Sequence, residues 1–112
     1  MVFKYFKTFS YDSLGAGASY SDTWDMDEDL VIKRIHIFEK TGASLKKSTF
    51  YLKIKDRVYT LAVAPAYVLD PSVVKALEFD ISAAKGEKLA FTLANNESTA
   101  VSVFISFECW SP

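Results

Sequence analysis

Apolar and polar residues alternate with a period of two along most of the chain, and helical spacing is almost absent, which predicts strands. Phe3, Tyr5, Phe9 and Tyr11 share one parity, with Lys7 as the interruption. The small residues of Leu14–Ser19 then predict a loop. Tyr20, Asp22, Trp24 and Met26 share the next face. Leu30–Lys40 is the longest β-rich run, and its parity slips: Leu30 and Ile32 are even, Ile35 and Ile37 odd. A one-residue slip exchanges the faces of a strand, so the slip predicts a bulge near Lys33-Arg34. The alternative is a strand buried in part on both faces.

Phe50, Leu52 and Ile54 alternate with Tyr51, Lys53 and Lys55, and Asp56 marks a turn into Arg57–Val63, a hairpin pattern. Pro65 cannot donate to a ladder, so Tyr67–Pro71 is expected to continue as an extended crossing or a loop, in which Asp70-Pro71-Ser72 can begin a short helical turn. Leu77, Phe79 and Ile81 resume the alternation. Turns are expected at Ala84–Glu87 and Asn95–Ser98, and between them Leu89, Phe91 and Leu93 form one apolar face. In the last strand Val101, Val103, Ile105 and Phe107 point inward.

These segments amount to about eight strands with turn signals about every ten residues, the rhythm of an all-β fold. Antiparallel strands that bury one face each must pack as two sheets or close into a barrel. The fold class expected is an all-β, eight-stranded antiparallel sandwich of two sheets, with a jelly roll first in order of preference. An immunoglobulin-like sandwich comes second, since its Cys…Trp…Cys spacing is missing. One domain over residues 1–112 suffices, with 1–10 either an extended N-terminal arm or the first strand.

Composition narrows the chemistry. Half the residues are apolar, and 13 basic against 14 acidic side chains leave a net charge of −1. That balance offers no general grip on nucleic acid or an anionic membrane. The longest apolar run, Leu61–Leu69, is far short of the roughly 20 residues of a spanning helix, so no membrane span is expected. One cysteine, Cys109, excludes an intrachain disulfide. One histidine, His36, lacks a companion for paired acid–base work and is expected to be structural or at an interface. Cys109, with no base marked out nearby, reads as a small apolar core residue. No catalytic residue and no cofactor is expected, and the chain reads as a non-enzyme.

Asp25, Asp27 and Asp29 are the candidate metal ligands, because alternate carboxylates open a calcium loop. Leu30 stands where such a loop needs glycine and His36 where it needs a bidentate glutamate, so a solvated turn is the stronger expectation. Asn96-Glu97-Ser98 is a glycosylation sequon in an expected hairpin turn. Gly15-Ala-Gly17 lacks the strand-to-helix setting of a phosphate loop.

Aromatic residues make up 15% of the chain, and Tyr51, Tyr59 and Phe104 fall on outward parity. Exposed rings on a sandwich either stack on sugars or become buried between subunits. The interface candidates are therefore Phe3, Tyr5, Phe9, Tyr51, Tyr59 and Phe104.

The aromatic segment Phe3–Phe9, the Gly15–Ala18 loop, the long strand Leu30–Lys40 and the alternating hairpins to Phe107 resemble the single jelly-roll structural proteins of icosahedral double-stranded DNA viruses, of penton-base (vertex) or minor-capsid type. The resemblance spans most of the chain. It implies a non-enzymatic shell subunit that forms a ring with copies of itself, five-fold at a vertex, and contacts other capsid proteins. It also implies location in the virion, with host cytoplasm during assembly. Cyclic association joins unlike patches, so the N-terminal segment and outward rings are the expected contacts. Removing Met1–Ser10 should then weaken assembly and leave the sandwich folded. The alternative is a carbohydrate-binding, lectin-like sandwich. A cupin-like enzyme is disfavoured by the single histidine.

Overall fold

The structure, a computed structural model, describes residues 1–55, 57–58, 64–70 and 78–112. The turn at Asp56, most of the expected strand to Val63 with Tyr59, the helical turn expected at Asp70–Ser72 and Leu77 lie wholly or partly outside them. In chain order the strands are β1 (Phe3–Leu14), β2 (Ser19–Asp25), β3 (Leu30–Glu39), β4 (Thr49–Ile54), β5 (Arg57–Val58), β6 (Ala64–Pro65), β7 (Ile81–Ala83), β8 (Lys88–Ala94) and β9 (Val101–Trp110). A 3-10 turn, Ala66–Leu69, follows β6 where an extended crossing or a loop was expected.

Two antiparallel sheets face each other, one in the order β1-β9-β3-β7 and the other β2-β8-β4-β5, with β6 also on β4. The molecule is an all-β sandwich. Instead of eight strands, the described residues hold seven of three residues or more, plus the two-residue pieces β5 and β6. Both pieces lie along the same flank of β4, at Lys53-Ile54 and at Thr49-Phe50. Proline at that flank is tolerated because an edge strand needs no donor on its outer side.

The strand pairs nest. Phe3 faces Trp110, Ser19 faces Ala94, Leu30 faces Ala83 and Lys53 faces Val58. The chain thus runs out through β1–β4 and back through β5–β9 like one long hairpin, rolled so that β9 also reaches β3 and β8 also reaches β4. From β1 to β4 and from β6 to β9 successive strands alternate between the two sheets, each covering its apolar face.

Leu89, Phe91 and Leu93 from one sheet and Val101, Val103, Ile105 and Phe107 from the other are buried in a single core, as their alternation predicts. Phe91 sits at its centre, with ring centroids of Phe9, Tyr20, Phe50 and Phe107 at 5.0, 5.4, 6.0 and 6.0 Å. The expected bulge is present: the β3·β9 register shifts between Ile32 and Arg34. It lets Leu30 and Ile32 face the core before it and Ile35 and Ile37 after it, and turns Arg34, His36 and Phe38 outward.

Of the two forms expected for residues 1–10, the structure shows the first strand rather than an extended arm. β1 pairs with β9 from Phe3↔Trp110 to Leu14↔Val101, and Phe9 packs against Phe91 and Phe107. Deleting Met1–Ser10 would remove these core contacts and most of the strand paired with β9, which argues against the sandwich surviving it unchanged.

Candidate interaction surfaces

The outer face of the β1-β9-β3-β7 sheet carries the exposed rings. A register shift between Phe3 and Tyr5 places Phe3 on the outer side, opposite Trp110, rather than on the inner side with Tyr5. Phe3, Phe6, Phe38 and Phe104 are between 41% and 56% exposed. They form two groups. Phe3 contacts Phe6 and Trp110, with centroids 5.2 and 6.1 Å apart. Phe38 faces Phe104 directly across β3·β9. The Lys40 ammonium lies 4.1 Å from the Phe104 centroid and also bonds Asp12 and Ser10 of β1.

Between these groups lies Glu108, a buried carboxylate. Arg34 Nη1 donates to its Oε1 at 2.8 Å and Trp110 Nε1 at 2.9 Å, while His36 Nε2 stands 4.0 Å from Oε2. Arg34 in turn reaches Glu78, and Lys33 bonds Asp80, whose hydrogen bond raises the ammonium pKa above its ordinary value. Glu108 thus holds Arg34 and Trp110 by hydrogen bonds, with the His36 imidazole beside it on the outer face.

Of the interface candidates, Phe104 is exposed, as its outward parity predicts, and Phe3 is exposed through the register shift. Tyr5 and Phe9 are not outer-face residues: they point between the sheets and lean on the core. The reason is the parity of β1 after its bulge, which turns Tyr5, Lys7 and Phe9 inward. Lys7 Nζ settles 5.5 Å from the Phe9 centroid and 5.7 Å from that of Trp24, a cation held over aromatic faces at the mouth of the core. Tyr51 is half-buried on the outer side of β4, opposite Thr92. Tyr59 is outside the described residues. Phe6, Phe38 and Trp110 were missed, although the even parity of Phe6 and the parity after the bulge for Phe38 marked both as outward.

The candidate metal ligands do not converge. Asp25 lies 3.9 Å from Lys88, and Asp29 Oδ1 accepts the Lys85 N–H at 2.8 Å. Neighbouring Glu28 is bonded by Lys4. Among the described residues no group of three or more His, Cys, Asp or Glu is placed to hold a metal ion. The segment is a charged turn that ties β2–β3 to the β7–β8 turn, with Met26 N donating to Glu87 O and Gly86 N to Met26 O.

Cys109 is buried, and burial pushes its thiol up to about 11, so the reactive thiolate is disfavoured. Burial, reinforced by a hydrogen bond to Asp22, likewise raises Tyr20 to about 12. Glu39 shows the opposite balance. Burial favours its neutral form, but Ser102 N, Thr41 N and Oγ1, and Ala43 N all donate to it and hold its pKa below the ordinary value. At the same end of the sandwich Asn95 is fully buried: its amide donates to Leu14 O and Thr99 O and accepts from Glu97 N. Next to it Asn96 of the sequon is exposed, with its Nδ2 3.2 Å from Lys47 O. The Gly15–Ala18 loop is a tight turn, Ala18 N bonding Gly15 O, with Gly17 at φ 78°.

The fold class is thus a two-layer antiparallel β-sandwich. No protein-family model matches the chain, and no curated protein matches it.

Proposed function

We propose that the chain is a non-enzymatic structural subunit: a single jelly-roll shell protein of penton-base or minor-capsid type from an icosahedral double-stranded DNA virus, working in the virion after assembly in host cytoplasm. It associates with copies of itself in a ring and with other capsid proteins. The observation that carries this reading is the nested strand order, β1-β9-β3-β7 over β2-β8-β4-β5. A two-sheet sandwich rolled from one long hairpin is the wiring of jelly rolls, a fold shared by capsid and lectin domains. Fold alone does not choose between those two roles, so surface chemistry must.

The surface favours protein contact over sugar. A sugar-stacking platform needs a free aromatic face, whereas Lys40 covers Phe104, and Phe3, Phe6 and Phe38 on the outer face of that sheet are phenylalanines without a polar handle. Rings of this kind on an otherwise charged and polar sheet suit a subunit interface. Native mass spectrometry of the purified chain, followed by negative-stain imaging, tests the proposal. A closed oligomer of one copy number is the expected result. A species that never exceeds a dimer, or reproducible binding on a glycan array, overturns it, the latter in favour of the lectin-like reading.

A further inference from the structure

β1 is an outer strand: β9 pairs along one side of it, and no strand among the described residues pairs along the other. Its register against β9 is continuous from Tyr5 to Tyr11 and irregular just outside, at Phe3/Tyr5 and Tyr11/Leu14. The result is a straight stretch bounded by an irregularity at each end. Open edges of this kind present unpaired N–H and C=O groups to another strand unless proline, a central bulge or inward charge blocks them. Within Tyr5–Tyr11 there is no proline and a single charge, Lys7, whose ammonium is folded onto Phe9 and Trp24 of its own chain.

We propose that β1 pairs antiparallel with β1 of a second copy about a two-fold axis at Thr8, joining two four-stranded sheets into one continuous sheet. Overlap sets the register. Laying the two regular stretches fully side by side puts Tyr5 opposite Tyr11 and Thr8 opposite Thr8. That same register sets Lys4 opposite Asp12, Phe6 opposite Ser10 and Lys7 opposite Phe9. Lys4 already bonds Glu28, and Asp12 already bonds Lys40. Charges across the junction therefore alternate as Glu28, Lys4, Asp12, Lys40, once on each side of the axis. Moving the axis one residue back, to Lys7, opposes two lysines. Moving it one residue forward, to Phe9, sets Asp12 against Phe6. Opposed like charges are destabilising across strands, and opposite charges are favourable.

The outer face agrees with this register. Ser10 lies beside Phe104 of β9. Phe6 of the second copy would lie on the other side of Ser10, beside the Lys40 ammonium that bonds Ser10 and sits over Phe104. The contact is isologous and closes at two copies. It is independent of the ring proposed above.

Sedimentation of the full chain should show two 12.6 kDa copies joining in one reversible step, as a dimer or as the pairing of copies within a larger assembly. Thr8→Lys, at an exposed position, places two ammonium groups face to face and should weaken association by about tenfold or more. Its circular dichroism should stay that of the parent. Opposed Cα atoms on antiparallel strands lie about 4.5–5.5 Å apart, within disulfide reach. Thr8→Cys should accordingly cross-link to itself on oxidation, and Phe6→Cys only when mixed with Ser10→Cys. A monomeric parent, a dimer indifferent to Thr8→Lys, or Phe6→Cys linking to itself overturns the proposal. So does a monomer that takes up an unrelated extended peptide along this edge. A higher ring that survives Thr8→Lys and gives no Thr8→Cys link rejects the two-fold contact alone and leaves the shell reading standing.

Discussion

Replacing Phe91 with alanine removes the ring around which the aromatic core is arranged. Phe91 is 1% exposed and has four aromatic neighbours, Phe9, Tyr20, Phe50 and Phe107, contributed by both sheets. Large-to-small changes of this kind cost about 3–5 kcal/mol, because lost transfer energy adds to that of the cavity left behind. The lost ring pairs add about 0.5–1.5 kcal/mol each beyond area, and the β-strand scaffold on both sides leaves little room for collapse, so the upper end of the range applies. A domain of this size is stable by about 5–15 kcal/mol, which brings Phe91→Ala close to unfolding at ordinary temperature. Urea denaturation is the assay: the midpoint should fall steeply at unchanged m-value. Phe104→Ala is the internal control. It loses a half-exposed ring and a surface cation–π contact of about 0.5–1 kcal/mol, so its cost should stay near 1 kcal/mol. A Phe91→Ala cost below about 1 kcal/mol, or equal costs for the two variants, would refute the two-layer packing itself.

Four further outcomes follow from the same geometry. Glu39→Gln should cost about 1–3 kcal/mol near neutral pH, since the amide cannot accept from all four donors. Because the fold lowers the Glu39 pKa, its contribution is complete above the ordinary value of 4.5 and fades as pH falls through the folded value; the variant should show a flatter acid limb in melting temperature against pH. Native Cys109 should resist a thiol reagent at pH 8 and react fully in denaturant, and rapid labelling of the folded chain would contradict its burial. Asn95→Ala strands the Leu14 and Thr99 carbonyls and should cost about 1–3 kcal/mol by urea titration. A chain lacking residues 1–10 should lose cooperative thermal unfolding, because Phe9 and most of β1 go with them.

Period-two alternation made the inner faces legible wherever strands run without interruption. Val101–Phe107 and Leu89–Leu93 are the clear cases, and the parity slip in Leu30–Lys40 located the bulge at Lys33. What alternation could not show is an irregularity that leaves no mark in the apolar pattern. The shift at Phe3/Tyr5 is one, and it moved Phe3 to a different face from Tyr5 and Phe9. Polar residues that become buried were equally hidden. Glu39 is satisfied by Ser102, and Glu108 by Arg34, so their roles depend on pairing between distant parts of the chain. The acidic turn looked like a loop of ligands because local spacing says nothing about Lys4, Lys85 and Lys88, which the fold brings to it.

The bulge at Lys33 links the core to the surface that this sheet presents. A regular strand through Leu30–Glu39 would send either Ile32 or Ile35 to solvent, at a cost of about 1.5–3 kcal/mol for a buried aliphatic side chain. Inserting one extra residue resolves the conflict, and the residue inserted is a lysine that the Glu78–Asp80 segment can hold. The same insertion brings Arg34 opposite Glu108, His36 opposite Ser106 and Phe38 opposite Phe104. Core packing thereby dictates which side chains form the outer cluster and places a buried carboxylate between two aromatic groups. A change that straightens β3, such as deletion of Lys33, would expose part of the core and dismantle that face together. Burial of Ile32 and Ile35 in the core and display of Arg34, His36 and Phe38 on the outer face thus depend on the same irregularity.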